Sequence, residues 1–110
     1  MTFDEYQKQA LTTVVSSGNE FKDVMHWALG INGEAGEVAE KLKKIIRDKN
    51  SVISEEDKKE LAKELGDVLW YLAVFAHDLG FPFEEIAAQN LAKLQSRQKR
   101  NLIAGSGDNR

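Results

Sequence analysis

Apolar residues recur every three or four positions along most of the chain, which is the spacing of one face of an α-helix. Four such segments are separated by breaks near 16–18, 48–50 and 80–82, where serine, aspartate, asparagine, glycine and proline gather. The second segment is the most regular, with apolar positions Phe21, Val24, Ala28, Ile31, Ala35, Val38, Leu42 and Ile45. The pattern predicts an all-α protein of four helices.

Helix-capping residues predict where these helices begin and end. Thr2 with Glu5 forms a capping-box pattern, and Ser54 is a typical N-cap. The predicted helices run from Thr2 to about 16–18, from Asn19 to 48–50, from Ser54 to Gly80 and from Pro82 to about Arg100. Because the connections are short, we expect one up-and-down, four-helix domain over residues 1–100, followed by a flexible tail at 101–110.

Length, charge and cysteine content narrow the class of protein. A chain of 110 residues is long enough for one domain with a small core. The formal net charge of −3 gives no general attraction to nucleic acid or to anionic membranes. The absence of cysteine excludes disulfides and thiolate metal sites. No apolar run approaches the ~18 residues of a membrane span, so we expect a cytoplasmic protein without nucleic-acid or membrane partners.

A short phrase occurs twice, at Glu34-Ala35-Gly36-Glu37-Val38 and Glu64-Leu65-Gly66-Asp67-Val68. At roughly 100° per residue, each pair of carboxylates lies on the flank of its helix's apolar stripe. Antiparallel packing through these stripes therefore brings Glu34, Glu37, Glu64 and Asp67 together. Four carboxylates repel one another unless a cation lies among them. With only oxygen ligands in register, the expected ion is Mg²⁺, or Mn²⁺, rather than Zn²⁺.

The alternative is an ordinary solvated face, since Glu-x-x-Glu is common on helices and pairs with lysine one turn away. Glycines inside the predicted helices count against it, because each costs ~1 kcal/mol relative to alanine. These glycines are Gly30, Gly33, Gly36 and Gly66. They predict that a neighbouring helix or a ligand approaches the backbone closely.

Glu34-x-x-Glu37 followed by Glu64-x-x-Asp67 resembles the E-x-x-E…E-x-x-D motif of the MazG-like all-α nucleoside triphosphate pyrophosphohydrolases. The run from Glu64 to Leu72 and the set Asn90, Lys93, Leu94 and Arg97 are also similar to that family. The resemblance implies hydrolysis of a (deoxy)nucleoside triphosphate to the monophosphate and pyrophosphate by a homodimer or homotetramer. It implies Mg²⁺ ligation and catalysis by Glu34, Glu37, Glu64 and Asp67, with the nucleotide contacted by Lys41, Tyr71, Asn90, Lys93 and Arg97.

The chemistry of such a reaction suits these residue types. Glu34 or Glu37 is a candidate to orient or deprotonate the attacking water. Lys93 and Arg97 lie one helical turn apart and either hold the β- and γ-phosphates or form an ordinary basic helix C-terminus. Trp27 lies on an apolar stripe and is either a core aromatic or a residue that stacks on the nucleobase.

The main apolar stripe of the third helix, predicted to face the core, is Leu61, Leu65, Val68, Leu72, Phe75 and Leu79. Trp70 points away from this stripe, together with Gly66, Ala73 and His77. Since a small domain has little core to cover a second apolar face, we expect this face to lie between subunits. His26 and His77 have no second histidine at ligand spacing and are expected to be structural or surface residues rather than metal ligands.

Two functions of different class remain. One is the Mg²⁺-dependent enzyme, and the other is a non-catalytic helical oligomerisation module with a solvated acidic face. A ferritin-like di-iron protein would require Glu-x-x-His pairs, which the sequence lacks. Replacing glutamate by glutamine discriminates between the first two, because only a metal site loses its ion and its turnover.

Overall fold

The computed structural model describes all 110 residues and contains four α-helices and no strand. The helices are α1 (Phe3–Leu11), α2 (Glu20–Asp48), α3 (Glu55–Asp78) and α4 (Phe83–Lys99). The prediction of an all-α fold is confirmed. None of the helices is long and apolar enough to cross a membrane.

The two predicted caps form, and α2 has a capping residue as well. Thr2 and Glu5 make a reciprocal capping box on α1, and Ser54 makes the equivalent box with Asp57 on α3. The side chain of Asn19 accepts a hydrogen bond from a backbone N–H in the first turn of α2. These bonds satisfy amides that have no partner within the helix, and so they fix where each helix begins.

α1 ends at Leu11, before the serine-rich break at which the sequence pattern placed its end. The hydroxyls of Thr12 and Thr13 donate to carbonyls three residues back, which closes the last turn. The next residues bend toward α2, because both the backbone N–H and the hydroxyl of Ser17 donate to the Asp23 carboxylate, at 2.9 and 2.7 Å. Local side-chain hydrogen bonds thus compete with continuation of the helix.

α3 is the central helix, because it packs against each of the other three. The backbone of α2 lies close only to that of α3, although Trp27 shares an apolar cluster with Ala10 of α1, whereas α1 and α4 also pack on one another. The expectation that consecutive helices are neighbours is therefore wrong for α1 and α2. The radius of gyration is 17.0 Å, compared with ~13 Å for a compact domain of about this length. The four helices form an open arrangement rather than a closed bundle.

Two small apolar clusters hold the helices together. One is built on Ala10, Trp27 and Val74, and the other on Ala73, Ala76 and Phe83. Gln7 joins α1 to them: its side-chain amide donates to the carbonyls of Ala73 and Phe81 and accepts from the backbone N–H of Phe83. A buried glutamine with its bonding capacity filled in this way fixes the docking of α1.

The face of α3 that carries Trp70 is covered within the chain at Trp70 and Ala73, whereas Gly66 and His77 on the same face are exposed, so its place between subunits stays a prediction. Ala73 is fully buried, and the Trp70 indole N–H donates to Thr13 at 2.8 Å. The Trp70 ring also packs edge-on against Trp27. The physical reason is that α1 and the residues after it lie over Trp70 and Ala73. The sequence pattern did not predict where α1 docks.

The opposite face of α3 is open instead. Leu65, Leu72 and Leu79, which the sequence pattern placed in the core, are 60%, 40% and 52% exposed. On α4, Leu91 and Leu94 are exposed as well. These five residues are called the leucine face of α3 and α4; other large apolar side chains, among them Phe21, Leu29 and Ile46 on α2, are exposed as well.

Candidate active site

α2 and α3 run antiparallel, and one close contact fixes their register. The ring of Tyr71 on α3 lies directly over Gly30 on α2, where there is no room for a Cβ atom. The contacts progress in opposite directions along the two helices, from Trp27 beside Val74 at one end to Lys49 bonded to Asp57 at the other. Gly30 is thus the one helical glycine that a neighbouring helix in the chain approaches closely, as predicted.

One turn from this contact, three of the four predicted carboxylates come together. Glu34, Glu64 and Asp67 each place a carboxylate oxygen within 4.8 Å of the other two. Glu34 and Glu64 are half-buried and Asp67 is exposed. Glu37 lies one turn further along α2, exposed and outside this carboxylate triad. The triad is defined by Glu34, Glu64 and Asp67.

The triad is electrostatically unfavourable without a cation. Burial raises the pKa of Glu34 above its ordinary value of 4.5, and the charges of Asp67, Glu64 and Glu37 raise it further. The charge of Glu37 therefore acts on the triad even though its side chain stands outside. Lys41 partly offsets the negative charge, with its Nζ 3.4 Å from an oxygen of Glu64. A donor set of carboxylate oxygens with this excess of negative charge suits a hard divalent cation.

Two predicted substrate contacts lie beside the triad. Lys41 contacts Glu64, and Tyr71 follows Asp67 by one turn of α3. Trp27 is 2% exposed, its indole N–H donates to Asp78 at 2.7 Å, and its ring packs against Trp70 and Tyr71. The structure therefore favours the interpretation of Trp27 as a core aromatic, since no free face remains for a nucleobase.

The predicted substrate contacts on α4 are not brought to the triad within one chain. Asn90 is exposed, and α4 makes no contact with α2. Lys93 and Arg97 bind Asp108 of the C-terminal segment instead, with N–O distances of 2.8 and 3.2 Å. A site that uses both the triad and these cations must therefore draw on two chains or on a rearranged segment.

The remaining helical glycines border open space. A Cβ atom at Gly33, Gly36 or Gly66 would meet nothing within 4 Å. The predicted close approach to these three is thus absent within the chain. They leave an uncovered strip of backbone beside the triad, which is free to meet a ligand or another chain.

Sequence reasoning missed one residue near the triad. Tyr6 on α1 is half-buried between the two apolar clusters, and burial followed by the charge of Asp67 raises the pKa of its phenol. Tyr6 has the helical spacing of an apolar face, with Ala10 one turn later, but this spacing does not indicate the helix against which that face packs. No sequence signal could have located it beside Asp67.

One family model and one curated relative match this chain. The family model described as the MazG nucleotide pyrophosphohydrolase domain matches residues 23–102. The chain belongs to this family. It is also 44% identical over 114 residues to the Gene 37 protein of Mycobacterium phage L5, with both chains covered in full. No solved structure matches it.

Membership confirms the resemblance drawn from the residues. The triad and Glu37 lie inside the matched segment of this MazG domain, as do Lys41, Tyr71 and the candidates on α4. α1, which carries Tyr6, lies outside it. The family supports a pyrophosphohydrolase-type hydrolase, and the triad is the group of residues in the structure suited to hold a metal ion.

Proposed function

We propose that this MazG domain is a Mg²⁺-dependent nucleoside triphosphate pyrophosphohydrolase. It adds water across the bond between the α- and β-phosphates of a (deoxy)nucleoside triphosphate and releases the monophosphate and pyrophosphate. Cleansing of non-standard nucleotides is one use of such an activity. The observation that carries the proposal is the convergence of Glu34, Glu64 and Asp67 within 4.8 Å, in a chain of this family.

The metal-binding residues in this proposal are the triad, with Glu37 alongside. Carboxylate oxygens are the ligands that Mg²⁺ prefers, and Mn²⁺ accepts the same set. When bound, the ion neutralises phosphate oxygens and so makes the phosphorus more open to attack by water. The rise in the pKa of Glu34 supports this assignment, because the triad gains free energy when a cation relieves its repulsion.

Glu37 is our candidate for orienting the attacking water, with Glu34 as the second candidate. Glu37 is exposed and forms no hydrogen bond or ion pair, so a carboxylate oxygen is free to accept a proton from water. Lys41 stands at the edge of the triad, where its ammonium group can donate to a phosphate oxygen. Tyr71, Asn90, Lys93 and Arg97 are proposed as further substrate contacts.

We further propose that the active form is a homodimer or homotetramer. Two features support it: the leucine face of α3 and α4 is exposed, and the cations of α4 are separate from the triad in one chain. Exposed apolar surface is typical of protein–protein contact sites, and most homo-oligomers pair about a two-fold axis. A second copy can then supply Lys93 and Arg97 to the triad.

The test is the release of pyrophosphate from a panel of ribo- and deoxynucleoside triphosphates, canonical and modified, with Mg²⁺ or with EDTA. We expect monophosphate and pyrophosphate in equal amounts, no diphosphate, and no turnover in EDTA. Glu64→Gln and Asp67→Asn should abolish turnover while the helical content is retained. Glu55→Gln, which removes a charge from an exposed pair with Lys58, is the matched control and should keep full activity.

Release of inorganic phosphate in place of pyrophosphate, or full activity in EDTA, would contradict the mechanism. If neither turnover nor Mg²⁺ binding is found but the chain still associates, the second candidate gains support. That candidate is the non-catalytic oligomerisation module, and the observation in its favour is the exposed leucine face.

A further inference from the structure

The C-terminal segment of residues 101–110 lies against the last turns of α4. The backbone N–H of Leu102 donates to the carbonyl of Arg97 at 2.7 Å. The guanidinium of Arg97 donates to the backbone carbonyl of Asp108 at 2.6 Å and to its carboxylate at 3.2 Å. Lys93 donates to the same carboxylate oxygen at 2.8 Å. The segment thus places one anion on the Lys93–Arg97 pair.

The segment is folded by its own contacts. The guanidinium of Arg110 donates to the carbonyls of Leu102, Ile103 and Gly107, at 3.0, 2.8 and 2.6 Å. Gly105 and Gly107 have φ angles of 125° and 84°, which allow the chain to reverse at little steric cost. The position of Asp108 is therefore built into the fold of the segment.

The Lys93–Arg97 pair has more hydrogen-bond donors than Asp108 uses. Arg97 is only 5% exposed, yet its Nε–H is buried without a hydrogen-bond partner. Buried donors of this kind are rare, because an unpaired donor is costly. A phosphate group offers more acceptor oxygens than one carboxylate and suits the forked donors of arginine. Asp108 itself is a good anion, since Lys93 and then Arg97 lower its pKa.

We propose that residues 101–110 form an autoinhibitory strap, in which the carboxylate of Asp108 occupies the Lys93–Arg97 pair until a polyphosphate displaces it. The use of that pair for a nucleoside triphosphate rests on the proposed function. The displacement itself does not, because any di- or triphosphate anion should compete with Asp108. The strap weakens substrate binding but leaves the catalytic carboxylates untouched.

The test is the affinity for inorganic pyrophosphate, measured by titration calorimetry in EDTA so that no metal-dependent binding contributes. Asp108→Asn should tighten this affinity by about threefold, the range expected for an ion pair with one exposed partner. Glu55→Gln, which makes the same change of charge on a distant exposed pair, should leave it unchanged. In a Lys93→Gln background, Asp108→Asn should increase the affinity for pyrophosphate by a smaller factor, because the contact between Lys93 and Asp108 is already lost.

Amide NMR signals of Gly105 and Gly107 give an independent measure, because both should move and sharpen when pyrophosphate frees the strap. Equal affinities for the parent chain and Asp108→Asn would overturn the proposal, as would unmoved glycine signals at saturating pyrophosphate or no binding by either protein. If pyrophosphate behaves as expected but no triphosphate is hydrolysed, the proposed function fails and the strap stands. In an active protein, Asp108→Asn should lower KM and leave kcat unchanged.

Discussion

Glu34→Gln should stabilise the folded protein in EDTA and destabilise it, relative to the parent chain, when Mg²⁺ is present. At 4.8 Å, two negative charges repel by ~0.9 kcal/mol at the dielectric constant of water, and Glu34 has two such neighbours in the triad. Lys41 offsets part of this repulsion through Glu64. In EDTA, therefore, we expect Glu34→Gln to stabilise the fold by about 1 kcal/mol, which corresponds to roughly 4 °C in Tm.

With Mg²⁺ the parent chain should be more stable than Glu34→Gln. An ion that binds only the folded state adds ~2.7 kcal/mol of stability at a concentration of 100 Kd, and the glutamine variant loses a ligand for it. Glu37→Gln is the matched comparison, since it also removes one carboxylate charge, one turn along α2 and outside the triad. Its effect in EDTA should have the same sign and be smaller.

The assay is denaturant unfolding at fixed protein concentration, with EDTA or with Mg²⁺. Because the pKa of Glu34 is raised in the folded state, its ionisation destabilises the fold as pH rises. The advantage of Glu34→Gln should accordingly be full at neutral pH and vanish below the ordinary pKa of 4.5. If the parent chain and Glu34→Gln keep the same order of stability in EDTA and in Mg²⁺, the triad is not a metal site.

Three further predictions concern the fold and its assembly. Gly30→Ala should destabilise the protein by roughly 1–3 kcal/mol because its Cβ enters the ring of Tyr71, whereas Gly33→Ala meets nothing and should stabilise it by up to ~1 kcal/mol; equal effects in thermal unfolding would refute this register. Leu72→Glu should shift light scattering toward the 12.4 kDa monomer, and an unchanged assembly would exclude the leucine face as its interface. Asp57→Asn should destabilise at neutral pH, because Lys49 and Ser54 lower the pKa of Asp57 to about 2; the difference should disappear between pH 3.8 and about 2, and a constant difference would contradict it.

The triad could be predicted from sequence because it depends only on helical geometry. The period of 3.6 residues places Glu34 and Asp67 on the flanks of two apolar stripes, and two long stripes on neighbouring helices pack against one another. The register was not predictable in the same way. It depends on Tyr71 resting on Gly30, and a bare periodicity allows the helices to slide by a turn.

The covered face of α3 could not be predicted, because this helix is apolar on two sides. Periodicity ranks both sides as suitable for burial, and the sequence pattern favoured the side of Leu65 and Leu72. The short α1 decides between them through Gln7, a polar residue whose three hydrogen bonds reach the backbone of Ala73 in α3, of Phe81 and of Phe83 at the start of α4. Hydrophobic patterns carry no information about such a polar anchor.

The carboxylate triad on α2 and α3 is separated from the cations of α4, and this separation keeps both groups free to bind ligands. Had Lys93 and Arg97 faced Glu34 and Asp67 in the same chain, the four side chains would have formed ion pairs and neutralised one another. Neither a metal ion nor a phosphate would then find free ligands. In this chain only Lys41 contacts the triad, and the cations of α4 bind Asp108 of the C-terminal segment. Under the proposed function, holding the two groups apart keeps the carboxylates available for a cation, and a bound polyphosphate would be the molecule that joins them.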